Sequence, residues 1–189
     1  MIFQMQPSEV PADRFEIYRF AGFPPKVLPP QNICNLAEEC MNQLRPCLRP
    51  NLVYETFQKS DLEPIISRSK NLSANLEGCT RVVMFAATIG AQVDSIIRTT
   101  QKIDAAKSGM LQATGAMFIE SFVDVFNKMI SSQYGGSTKP RFSPGFGDAP
   151  LDLQKHFFNL LPCSKIGLSL MDTLIMAPEK SVTAFIGIL

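Results

Sequence analysis

Apolar residues fall at three- and four-residue steps from Gln31 to Leu44, where Ile33, Leu36, Ala37, Cys40, Met41 and Leu44 share one stripe. That spacing predicts an amphipathic helix. The same period returns from Ala91 to about Ser132. It is carried first by Val93, Ile96 and Ile97 and, past a break near Asp104, by Met110, Leu111, Ala113, Thr114, Met117, Phe118, Phe122, Val125, Phe126 and Met129. Gly115 lies inside this second helix, where glycine costs about 1 kcal/mol against alanine, so close packing of another backbone is expected there. Ahead of these helices, Val82 to Thr88 is a continuous apolar run closed by Gly90. It reads as a strand buried on both faces, a pattern that a short buried helix shares.

The remaining segments are shorter. Pro7-Ser8-Glu9 opens a helical stretch carrying Phe15, Ile17, Tyr18 and Phe20 and stopping at Gly22. Leu52 to Phe57 is β-rich, and Asp61 to Ser67 is a weaker strand candidate in which Pro64 marks an edge. Leu151 to Leu161 reads as a helix with Leu153, Phe157, Phe158, Leu160 and Leu161 facing inward. Ile166 to Leu170, Thr173 to Met176 and Val182 to Ile188 are β-like runs. The pattern predicts an α+β fold, an antiparallel or mixed twisted β-sheet packed with helices in a single domain.

Composition narrows the function classes. The chain has 189 residues, 46% of them hydrophobic and 19% charged, without internal repeats or low-complexity runs. A net charge of +1 gives no field to draw nucleic acid or an anionic membrane. No apolar stretch reaches the roughly 18 to 20 residues that span a bilayer, and Met1 to Glu9 lacks the marks of a secretory signal, so a cytoplasmic protein is expected. Cys34, Cys40, Cys47, Cys79 and Cys163 are odd in number and follow no zinc or redox spacing, as expected of reduced structural thiols. With His156 the single histidine, neither a histidine-rich metal site nor a Cys/His pair is readily built. The glycines fit neither a phosphate loop nor a dinucleotide fingerprint, and Ser143 lacks the frame of a nucleophile elbow. No catalytic nucleophile and no metal ligand set is expected.

Candidate chemistry concentrates between Arg141 and Pro150. Arg141 offers a planar fork suited to a carboxylate or phosphate, and Gly145 and Gly147 let main chain approach a ligand or adopt positive φ. The same residues would also serve as a tight connection into a helix, with Arg141 paired to a surface carboxylate. Glu120 falls on the apolar stripe of the long helix, where it needs a partner or a cavity unless it is solvated; Asp124, one turn on, is expected to be exposed.

The run Arg141-Phe142-Ser143-Pro144-Gly145-Phe146-Gly147-Asp148-Ala149-Pro150-Leu151, with Gln154 and Phe157 to Leu161 behind it, resembles the Arg-x-x-Pro-Gly-Tyr signature of the activation domain of cobalamin-dependent methionine synthase. Ile166 to Leu170 and Met176 to Val182 are similar to that family's second block. Upstream, Phe85 to Gly90 and Gly115 to Phe122 fit its free-standing members. The resemblance makes residues 81–189 the activation-domain core and residues 1–80 a divergent helical and β part of the same domain. It implies binding of S-adenosylmethionine, whose methyl group goes to the reduced cobalamin of a partner methionine synthase or other corrinoid protein, with a flavodoxin-like electron donor. Carried over, Arg141 would hold the methionine carboxylate, main chain at Ser143 and Gly145 would bond the ligand, Phe146 would stack, and Glu120 would take the acidic helix position. Phe146 replaces the usual tyrosine, and a lost neutral hydrogen bond forfeits about 0.5 to 1.5 kcal/mol. The family's domain continues beyond the position of Leu189 into a segment with a further ligand-contacting tyrosine, and its N-terminal aspartate has no match in residues 1–80. These departures imply the alternative of an interaction module for a corrinoid protein that has lost S-adenosylmethionine binding.

Overall fold

The computed structural model describes residues 1–189. In chain order the elements are β1 (Ile2–Gln4), α1 (Arg14–Phe20), α2 (Gln31–Leu44), β2 (Asn51–Gln58), α3 (Glu63–Ile66), α4 (Lys70–Asn75), β3 (Arg81–Thr88), α5 (Ala91–Gln101), α6 (Ala105–Gln133), α7 (Gln154–Leu160), β4 (Ser169–Leu170), β5 (Met176–Ala177) and β6 (Ser181–Ile188). Strands β1, β2, β3 and β6 form one antiparallel sheet in that order, and β4 pairs with β5 in a small hairpin. The continuous apolar run of β3 sits inside the sheet, between β2 and β6, as burial on both faces requires.

The alternation of β3 divides the core. Val83, Phe85 and Ala87 face α1, α2, α5 and α6, together with Ala184, Ile186 and Ile188 of β6. Val82, Met84 and Ala86 face α3, α4 and α7, together with Phe185. Helix α6, 29 residues long, covers the first face. The carboxylate of Asp104 accepts from the Lys107 N–H at 2.9 Å and so starts the helix at the break seen in the sequence.

Several local expectations change. Pro7–Glu9 is a separate 3-10 turn, and α1 begins at Arg14 under the Asp13 cap. Asp61 to Ser67 is helical, not extended, because Pro64 stands at the opening of α3, where its missing N–H costs nothing. Of the residues expected to face inward from the last helix, Leu153, Phe157 and Leu161 are buried, whereas Leu160 is exposed. What lies nearest Gly115 is the alkyl chain of Lys180 and not another backbone; a Cβ added there would stand 3.1 Å from Lys180 Cε.

All five cysteines are free thiols. Burial pushes the thiols of Cys40 and Cys163 up to about 11. At pH 8 both should resist a water-soluble thiol reagent until denaturant is added, while partly exposed Cys34 and Cys47 react in the native protein. Mass-mapped labelling checks this.

Candidate functional site

The site arises where one edge of the sheet is left half-covered. Residues after α6 run antiparallel along the outer edge of β6: Lys139 N–H donates to Gly187 C=O at 2.9 Å, and Phe142 and Phe185 exchange N–H···O bonds of 2.9 and 2.8 Å. Past Phe142 the chain turns away, so β6 is uncovered from Ser181 to Thr183. A cavity of about 640 Å³ opens there. Glu120 and Asn127 of α6 line it, with Pro140 to Pro144 and Phe146 of the turn, Gln154 of α7, Met176 of β5, and Ser181, Val182 and Thr183.

Four of the five residues singled out in the sequence meet at this cavity: Glu120, Arg141, Ser143 and Phe146. Gly145 stands behind the lip. Its φ is +87°, and its N–H closes the turn on the Ala149 carbonyl at 3.0 Å. The Phe146 N–H donates to the Ser143 carbonyl at 3.2 Å. The Ser143 N–H and the Gly145 C=O are thereby left for other partners. Phe146 is 66% exposed, with its ring at the mouth.

Arg141 donates through one terminal nitrogen to Glu120 and through the other to Asp124 at 2.5 Å. The pairing to carboxylates expected of a structural connection is therefore present, and the same side chain lines the cavity. Two of the guanidinium's five N–H groups are used, and three remain for a ligand. Asp124, expected only as an exposed residue, is exposed and also orients this fork.

The turn is held from beneath by Asp148, which the sequence reading passed over. Its carboxylate accepts from the Ser69 hydroxyl and from the Lys70 and Asn71 N–H groups at 2.9 and 3.1 Å, pinning the turn to the start of α4. Gly147 lies against α4 at φ +55°, and a Cβ there would fall 2.2 Å from Asn71 Nδ2. The Ser69 hydroxyl, followed by the Asn71 and Lys70 N–H groups, holds the Asp148 carboxyl below its ordinary range. A carboxylate lowered on folding contributes stability above its unfolded pKa and loses it as pH falls through the folded value. Acidification below the usual carboxylate range should therefore release the turn, and Asp148→Ala should release it at neutral pH. Faster amide hydrogen exchange at residues 143–147, with β3 unchanged, is the expected observation.

The cavity also gathers polar atoms without partners. Four buried side-chain atoms lack a hydrogen bond, and three of them, Asn127 Oδ1, Gln154 Oε1 and Thr183 Oγ1, belong to lining residues. Burying such a group unpaired costs about 1 to 3 kcal/mol, so these atoms are hydrogen-bonding groups that the protein itself leaves to whatever fills the cavity, water included.

No protein-family model matches the chain, and no curated protein matches it in sequence. Among solved structures, the crystal structure of the MetH reactivation domain bound to AdoHcy superposes with a TM-score of 0.76 at 14% identity, covering 99% of this chain and 77% of that one. The chain has the fold of the methionine synthase reactivation domain. No helix is long and apolar enough to cross a membrane.

Proposed function

We propose that the protein binds S-adenosylmethionine in the cavity at the open edge of β6 and serves the reductive methylation of a corrinoid protein, methionine synthase or a relative. The observation that carries the reading is the placing of Arg141, Glu120, Ser143 and Phe146 around one cavity, in a fold whose solved neighbour is bound to AdoHcy. Arg141 takes the ligand's carboxylate with its unused N–H groups, and Glu120 takes the ammonium. The Ser143 N–H and Gly145 C=O bond the nucleoside, and Phe146 stacks at the mouth. Methyl transfer breaks the S–CH₃ bond and leaves S-adenosylhomocysteine. The nucleophile is the cobalamin of the partner, reduced by a flavodoxin-like donor, so the protein supplies no nucleophile and no base. Its task is to hold the sulfonium where the partner reaches it.

The test joins calorimetric titration with S-adenosylmethionine to recovery of activity by a cob(II)alamin methionine synthase given an electron donor. Binding together with recovery that depends on the added protein is the expected result. Neither occurring would refute the reading.

The double pairing of Arg141 favours a second reading, a docking module for a corrinoid protein that binds no S-adenosylmethionine. It predicts a complex with the corrinoid protein and a flat titration with S-adenosylmethionine.

A further inference from the structure

The register of β6 says what the uncovered edge offers. Antiparallel pairing directs main-chain groups to alternate sides residue by residue. Phe185 and Gly187 bond outward to the segment after α6, and Ile89 N–H donates to the Lys180 carbonyl from the β3 side. By that alternation Val182 and Ala184 spend their N–H and C=O groups on β3, whereas Thr183 turns both toward the cavity. The covering segment ends its pairing at Phe185, one step short of Thr183.

Side-chain orphans sit at the same place. Thr183 is 2% exposed and its hydroxyl has no partner; Gln154, 7% exposed, has an unpaired amide oxygen. Thr183 shares its sheet face with Phe185, which packs on Phe157 of α7, and Gln154 opens that helix. This wall of the cavity is thus neutral and rich in hydrogen-bonding groups. The opposite wall carries Glu120 and Arg141. The two walls suit a ligand with an amino-acid end and a neutral heterocyclic end.

We infer that the open edge at Thr183, together with Gln154, forms the subsite that reads the hydrogen-bonding edge of a 6-aminopurine. The inference rests on the S-adenosylmethionine reading and adds the residues that recognise its base. One extended residue presents an N–H donor beside a C=O acceptor. Adenine presents the matching pair, the N1 acceptor beside the 6-amino donor. The Thr183 hydroxyl and the Gln154 amide occupy the remaining polar positions of the purine. Main-chain groups cannot exchange donor for acceptor, so the edge discriminates against hypoxanthine, where both are reversed.

The experiment titrates the full chain with S-adenosylhomocysteine and with S-inosylhomocysteine, two stable thioethers that differ only in the base. The native chain should favour the adenosyl compound about tenfold or more, since unpaired buried polar groups are the penalty for the wrong base. Thr183→Val and Gln154→Leu should each weaken adenosyl binding about five- to tenfold, the size of one lost hydrogen bond. Thr183→Ser should keep native affinity. Thr183→Val should also melt no lower than the native chain, because it removes a hydroxyl that has no partner within the protein. Equal affinity for both compounds, or native affinity in both the valine and leucine variants at native melting temperature, would overturn the inference. If binding then still depends on Arg141, the function stands and only the base subsite falls. Binding of neither compound to the native chain overturns both.

Discussion

Arg141→Ala should lower S-adenosylmethionine affinity by about 1.5 to 3 kcal/mol, the range for hydrogen bonds to charged groups, or roughly ten- to more than a hundredfold. The loss should lie toward the upper end. Removing the guanidinium deletes the contact and also leaves Glu120 and Asp124 unneutralised beside the ligand's carboxylate. Stability should hardly change, because both acidic partners are more than a third exposed and surface ion pairs contribute about 0 to 1 kcal/mol. Calorimetry beside a thermal melt separates the two quantities. Arg141→Lys should recover only part of the affinity, since an ammonium cannot bridge two carboxylates and still present a fork. Unchanged binding in the alanine variant would make Arg141 a structural clip for Glu120 and Asp124 and would take the ligand's carboxylate away from it.

Phe126→Ala should have the largest effect on stability. Its ring lies 5.7 Å from Phe3, 5.0 Å from Tyr54 and 5.2 Å from Phe85, so one side chain of α6 joins β1, β2 and β3. It is fully buried. Truncating a buried phenylalanine costs about 3 to 5 kcal/mol, against typical domain stabilities of about 5 to 15 kcal/mol. A fall of that size in the unfolding free energy, seen as a lower urea midpoint with an unchanged slope, is expected. A change near ~2 kcal/mol would mean that the cluster collapses around the gap and leaves only the transfer term, and one below about 1 kcal/mol would refute the packing argument.

These two residues also mark what could be read from the sequence. The stripe through Phe126 announces α6, and the apolar run of β3 announces the sheet's centre, because burial writes a period into the residues themselves. Strand β1 has three residues and exists only through β2, so no local pattern reveals it. Pro64 carries one signal for two outcomes, an edge strand or a helix start, and packing of Ile65 and Ile66 decides between them. At the site, Arg141 and the glycine turn stand out as a motif, and Glu120 stands out as a charge on an apolar stripe. Asp148 and Thr183 do not. The first matters because of a helix start far away in the chain, and the second because a neighbouring segment stops pairing one step too early.

That early stop bears on solubility. A bare strand edge is a template on which other chains can add and grow into aggregates. Here the edge of β6 is occupied from Phe185 to Leu189, and the stretch left open, Ser181 to Thr183, lies beside the Pro140 to Pro144 turn. An incoming strand finds too few consecutive groups to register against. The opening is wide enough for a small molecule and too short to seed a fibril, so variants that peel residues 137–142 from β6 should be recognised first by their tendency to precipitate.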